Sequence, residues 1–282
     1  MLGLLLLQVL ASCLWLGHGK VVNSFAECPQ FFYGGTTPND ALNPKNPAWI
    51  CQLFDNKYRF ATLYDRDKRI PVYSAYKYEP SDAKRPHSWW FVEPQLIDKN
   101  SLKQMERESV LTEKYKFTLD QIKESQAVLA DYKVMKGLDR GHLSPSSHQD
   151  SRESKTATFT LTNIVPQDSS LNTGQWNNYE CKTMVQKTKD CKSTYVVTGA
   201  VPGNTYVSGN RVNRPSHIWS AACCLGEDTQ PKDAWGAIAE NDKNRVELVS
   251  LGVLEKNLTD LYGKTVTLFN NACPRYQSFY LF

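Results

Sequence analysis

The chain has 282 residues, 41% of them apolar and 22% charged, a globular composition that excludes disorder along its whole length and provides for one substantial core or two small ones. A formal net charge of +4 permits a polyanionic partner without demanding one, and the dense basic run of a dedicated polyanion binder is missing.

Residues 1–19, MLGLLLLQVLASCLWLGHG, form a leucine-rich run closing on small residues, the texture of a cleaved secretory signal rather than a bilayer span. No later stretch carries enough uninterrupted apolar residues to cross a membrane, so a secreted, soluble protein without stable membrane association is expected. With no solenoid-length repeat or low-complexity tract to divide them, residues 20–282 are expected to form one domain.

Asn39 to Pro47, where Asn, Pro and Lys cluster, reads as the least ordered part. From Tyr58 to Tyr78 the sequence predicts two aromatic and β-branched strands joined around Asp65 to Arg69. Thr156 to Thr162 alternates Ala157, Phe159 and Leu161 with threonines, the period of a half-buried strand. A helix is expected to start with Asn172 as N-cap and run through Trp176, Tyr179 and Val185 to about Asp190. Strands follow at Ser193 to Ala200, Ala234 to Ala239 and Arg245 to Val249. A last helix fits Ser250 to Tyr262, with Leu251, Leu254, Leu258 and Leu261 at helical spacing and Gly263 as its stop. Strands and helices mix without regular βαβ alternation, which points to an α+β fold with a largely antiparallel sheet and flanking helices.

Eight cysteines occur, and loss of Cys13 with the signal leaves an odd set, so one thiol stays free or pairs between molecules. No C-x-x-C pair suggests zinc, and secretion makes disulfides the default, with Cys181 to Cys191 a plausible local bridge. Asn257-Leu258-Thr259 is a single glycosylation sequon.

The chemistry concentrates in three segments. Leu138 to Pro145 packs Asp139, Arg140 and His142 around Gly141, Asn163 sits in TNIVPQ, and Asn172 to Glu180 reads NTGQWNNYE. A lone Arg-Gly-His is weak evidence, but DRGH, then N-I-x-P-Q, then N-x-G-x-W-x-x-x-E in that order resembles the DNA/RNA non-specific endonuclease family. SAYKYEP, ADYK and VELVSLGVLEKNLTDLYG extend the resemblance over most of the chain, while CPQFFYGGTTP and PSHIWSAACC look more narrowly like a vertebrate secreted branch. The resemblance implies an antiparallel sheet, a ββα-metal active site, and endonucleolytic hydrolysis of DNA and of RNA to 5'-phosphate and 3'-hydroxyl ends.

Phosphodiester hydrolysis needs an activated water, neutralised transition-state charge and a stabilised leaving oxygen. A neutral imidazole suits the first task, which makes His142 the expected general base. One hard divalent cation, Mg²⁺ with Mn²⁺ as a substitute, would serve the others, with the Asn172 amide oxygen as its direct ligand. Glu180 lies roughly 12 Å along a helix and about 80° around it from Asn172, and the matching family glutamate contacts metal-bound water. Asn163 fixes the loop or meets the metal's water shell, against the competing reading of a plain turn asparagine. Asp139 orients the loop or metal waters, and Arg140 divides evenly between a phosphate contact and a structural ion pair. The resemblance implies Arg85 in AKRPHSWW as a phosphate ligand, and places at Met184 an arginine that some members carry. Trp89 and Trp90 could stack on bases or simply pack, and His148 and His217 show no metal-ligand spacing. Two further readings compete with the enzyme: a retired nuclease scaffold that binds extracellular nucleic acid or another polyanion, and a disulfide-stabilised protein that binds another protein.

Overall fold

The hairpin expected around Asp65 to Arg69 lies inside an eight-stranded antiparallel sheet, in a computed structural model that describes residues 21–86 and 89–276. The signal-like run falls outside those residues. The strands are β1 (Val21–Val22), β2 (Pro47–Phe54), β3 (Lys57–Asp65), β4 (Ile70–Lys77), β5 (Leu138–His142), β6 (Ile164–Asp168), β7 (Ser193–Val201), β8 (Thr205–Val207), β9 (Val212–Arg214), β10 (His217–Leu225), β11 (Pro231–Glu240) and β12 (Glu247–Ser250). The large sheet runs β1-β2-β3-β4-β7-β10-β11-β12, and separately β5 pairs with β6 and β8 with β9.

Local chemistry accounts for the hairpin. The Asp65 carboxylate accepts from the backbone N–H groups of Asp67 and Lys68 and pairs with Lys68 Nζ at 3.1 Å, closing the turn between β3 and β4. Alternation then sorts side chains between two faces. Trp219, Ala221 and Cys223 of β10 enter one core with Val197 and the last helix, whereas Ala222 and Cys224 enter another with Val196 and Trp235. That last helix, Leu251–Tyr262, buries Leu251, Leu254 and Leu258, each worth about 1.5–3 kcal/mol. Ser250 caps its start by accepting from Val253 N, and Gly263 ends it at φ 68°, a left-handed conformation open to glycine at little cost.

Four expectations are corrected. Asn39 to Pro47 is held rather than loose: Asn39 donates to Thr265 O at 2.7 Å and accepts from Thr267 N, Asp40–Leu42 form a 3₁₀ turn, and Pro47 opens β2. Thr156 to Thr162 is no strand. It comprises the end of a helix (Arg152–Ala157) and the start of a 3₁₀ turn (Leu161–Asn163), because Thr158, Thr160 and Thr162 are as buried as the apolar residues between them. The apparent period of two reflected residue type, not exposure.

The helix expected from Asn172 begins instead at Ser169, where Asp168 is the N-cap and accepts from Ser170 N and Leu171 N. It is also broken, into Ser169–Thr173, Gln175–Asn178, a π-turn over Tyr179–Thr183, and Met184–Thr188. Gly174 makes the first break. A Cβ there would lie 2.3 Å from Ser170 O and 2.4 Å from Asn244 Oδ1.

The disulfides are Cys28–Cys51, Cys191–Cys224 and Cys223–Cys273, and Cys181 is free and exposed. A Cys181–Cys191 bridge fails on length. The helical stretch between them rises by over about 10 Å, beyond the roughly 7 Å between Cα atoms that a disulfide tolerates. Neighbours Cys223 and Cys224 instead point to opposite faces of β10 and tie each face to a different part of the chain.

Candidate active site

The short β5–β6 ladder positions the first group. Its register pairs Gly141 with Val165 and His142 with Ile164, and β6 leads directly into the helix that carries Asn172. Gly141 is needed by close approach: a Cβ would sit 2.1 Å from Gln167 Oε1 and 2.6 Å from Gln167 Cβ. His142 therefore ends a strand pressed tightly against its partner.

Aromatic rings hold the imidazole. Phe159 meets it edge-on at 4.9 Å between centroids and Trp90 lies tilted to it at 5.7 Å, while Arg140 lies over Trp90 at 4.5 Å and Arg85 over Phe159 at 5.3 Å. Nε2 of His142 is sealed and has no hydrogen-bond partner among the described residues, while the residue still lines a cavity, so Nδ1 is the nitrogen left to face it. Burial, followed by the positive charges of Arg85 and Arg140, pulls the pKa of His142 down to about 3. The ring is neutral at any physiological pH.

Asp139 and Asn172 form one unit. Asp139 Oδ2 accepts from Asn172 Nδ2 at 3.0 Å, and Oδ1 accepts from Ser169 Oγ at 2.9 Å. A carboxylate can only accept, so it fixes the amide with its nitrogen towards Asp139 and its oxygen turned away. Glu180 reaches the same cavity from the π-turn. Burial pushes its carboxyl up to about 8, opposed by the neighbouring Trp176 indole and the Arg85 guanidinium.

The cavity, about 540 Å³, is lined by Arg85, Arg140, His142, Lys155, Asn172 and Glu180 together with Pro145, Ser146, Ser147, Thr173, Asn177 and Cys181. Five of the residues singled out in the sequence thus meet at one place, and Asp139 stands directly behind the Asn172 amide. Asn163 does not line it. Fully buried, it accepts from Ser74 Oγ and Ser144 N and donates to Ser144 O and Thr158 O. Met184 is likewise fully buried, in a core with Phe159, Tyr179 and Trp235, so position 184 contributes nothing to the cavity wall.

Sequence reasoning passed over three residues. Lys155, only 5% exposed, donates to Ser81 O and Ala83 O and so anchors the segment that presents Arg85. Phe159 was read as part of a strand. His148 was set aside for lack of ligand spacing, yet its Nε2 meets the Glu180 backbone carbonyl at 3.0 Å.

Among the described residues no three His, Cys, Asp or Glu side chains gather into a metal cluster. Beside the Ser146, Ser147 and Thr173 hydroxyls and the Asn177 amide, the cavity offers the oriented Asn172 carboxamide and the Glu180 carboxylate as oxygen donors. Such a sparse, hard set fits a divalent cation that retains most of its waters.

Known proteins share sequence and fold with this chain. The model of the DNA/RNA non-specific endonuclease family matches residues 37–275. The chain is 33% identical over 259 residues to the human endonuclease domain-containing 1 protein, covering 90% of this chain and 49% of that protein, and 34% identical over 254 residues to the mouse protein, covering 88% and 48%. It therefore spans about half the length of these curated relatives. Human mitochondrial endonuclease G is 35% identical over 107 residues, 33% of this chain and 35% of its own. A chain in a crystal structure of the EndoG/EndoGI complex superposes with a TM-score of 0.53 at 17% identity, covering 78% of this chain and 86% of that one, a likeness of fold.

Proposed function

From the premise that this chain belongs to the DNA/RNA non-specific endonuclease family, we propose that it is a secreted, metal-dependent endonuclease that hydrolyses DNA and RNA with little regard for sequence. The observation that carries this reading is the convergence of a neutral, aromatic-clamped His142, an oriented Asn172 amide oxygen, Glu180 and two arginines on one cavity.

His142 accepts the proton of the attacking water at Nδ1. Arg85 and Arg140 bind the phosphate oxygens, and their charges are two of the causes that depress the imidazole. Phosphate binding neutralises them, so substrate itself raises the basicity of His142. Asn172, held by Asp139, would ligate Mg²⁺ or Mn²⁺ through Oδ1, and Glu180 would hold the ion's water shell. When bound, such a cation supplies Lewis-acid stabilisation of the charge that develops on the phosphoryl and leaving oxygens. Lys155 and Asn163 do no chemistry in this scheme; they fix the segments that bear Arg85 and His142.

The signal-like residues 1–19 and three disulfides support secretion, with residues 20–282 as the nuclease domain. Purified, oxidised protein is expected to degrade plasmid DNA, single strands and RNA in Mg²⁺ or Mn²⁺. Intact substrates under all these conditions, in a preparation that still binds them, would move the chain to the non-cleaving polyanion binder.

A further inference from the structure

The side chains behind the cavity converge on one strand. Ser74 and Tyr76 are two apart in β4 and point to the same face of the sheet. Ser74 Oγ donates to Asn163 Oδ1 at 2.8 Å, and the same oxygen accepts from the backbone N–H of Ser144, two residues after His142. A second link to that loop runs from Leu143 N to Asn163 O at 3.0 Å. Tyr76 starts a matching chain on the other side. Its hydroxyl meets His148 Nδ1 at 3.0 Å, and His148 Nε2 meets the carbonyl oxygen of Glu180 at 3.0 Å.

The second chain has a defined polarity. A carbonyl can only accept, so Nε2 bears the proton, which leaves Nδ1 to accept from the Tyr76 hydroxyl. Tyr78 meets the imidazole edge-on at 4.7 Å, and Glu79 N donates to His148 O, so neither ring nor backbone is free to turn. The far end of the chain matters most. Glu180 lies in the π-turn, where the widened helix breaks the regular ladder and its backbone geometry is not fixed by helical repetition alone.

We propose that His148 is a positioning residue: a neutral strut, oriented by Tyr76, that sets the place of the Glu180 backbone relative to His142 through a strand common to both. This rests on the nuclease reading of the cavity. A buried histidine with two satisfied nitrogens also occurs as plain core packing, and the two roles separate by which nitrogen is kept. Gln reproduces the donor near Nε2, whereas Asn reproduces the acceptor near Nδ1 and cannot reach Glu180.

The test compares His148→Gln and His148→Asn. One readout is Mn²⁺ affinity without substrate, by electron paramagnetic resonance, and the other is kcat and KM on plasmid. His148→Gln is expected within about threefold of wild type in both, while His148→Asn loses about 10- to 100-fold in kcat and in Mn²⁺ affinity at unchanged KM. Equal behaviour of the two variants, or losses that merely follow their thermal stability, overturns the proposal. Should neither variant fold, Tyr76→Phe keeps the ring and removes the donor to Nδ1; the strut then requires a fall in kcat and Mn²⁺ affinity, and wild-type values refute it. A wild-type chain that binds Mn²⁺ but cleaves nothing sinks the nuclease reading alone and leaves the Mn²⁺ comparison to decide the role of His148.

Discussion

Removal of the Asp139 carboxylate tests how the metal-ligating oxygen is aimed. Asp139 receives Asn172 Nδ2 at 3.0 Å and Ser169 Oγ at 2.9 Å, and among the described residues no other group hydrogen-bonds the Asn172 amide to hold it against rotation. A hydrogen bond to a charged acceptor is worth about 1.5–3 kcal/mol, which corresponds to roughly 10- to 150-fold in an equilibrium that depends on it. Loss of an orienting contact behind a metal ligand falls in the same range, about 10- to 100-fold. Asp139→Ala is therefore expected to raise the Mg²⁺ concentration needed for half-maximal cleavage by about one to two orders of magnitude. Asp139→Asn, whose neutral carbonyl can still accept from Asn172, should recover part of that loss. The assay is plasmid cleavage titrated with Mg²⁺, with Mg²⁺ binding measured by calorimetry in parallel. If Asp139→Ala keeps the wild-type Mg²⁺ dependence, the orienting role is wrong.

Three further outcomes follow from the same site. Between pH 6.5 and about 4.5 the unfolded chain protonates His142 and His148 while the folded, metal-free protein keeps both neutral; Glu180 works oppositely, protonated in the fold below about 8 and ionised in the unfolded chain. These three groups together contribute a net loss of about 1.4 kcal/mol of stability per unit of falling pH, and Glu180→Gln, which removes the opposing group, should steepen the measured slope by about 1.4 kcal/mol per unit. Urea unfolding of wild type and Glu180→Gln across this window reads that difference, and equal slopes contradict it. Because a cation requires ionised Glu180, Mg²⁺ affinity should rise about tenfold per pH unit up to about 8 and then level off, and calorimetry on Glu180→Gln should show no such rise. Gly141→Ala, which drives a Cβ into Gln167, should cost about 1–3 kcal/mol on thermal unfolding and displace His142; an equally stable, equally active variant would show that the β5–β6 ladder has slack.

Much of this was legible from side-chain pattern. The β3–β4 hairpin carried its turn aspartate in plain view, and the last helix carried both its Ser250 cap and its Gly263 stop. The order of DRGH, Asn163 and Asn172 to Glu180 signalled residues that the fold brings to, or close behind, one cavity. What escaped depends on neighbours distant in sequence. Threonines at 158, 160 and 162 looked like the wet side of a strand, but the sheet and the Phe91 segment cover both sides. Helical arithmetic placed Asn172 and Glu180 on neighbouring faces of one rod, and the break at Gly174 with the π-turn replaces that rod. Cys191 found Cys224 across the structure because adjacent strand residues face opposite ways. His148 gave no signal, since its two partners lie 72 and 32 residues away.

The most direct test of the central claim is plasmid cleavage by wild type and His142→Ala, each with Mg²⁺ and with excess chelator. The site predicts that the chelator abolishes wild-type cleavage and that the substitution removes at least about two orders of magnitude of the rate at saturating Mg²⁺, the usual worth of a positioned general base. Equal rates for the two proteins in Mg²⁺ would contradict it.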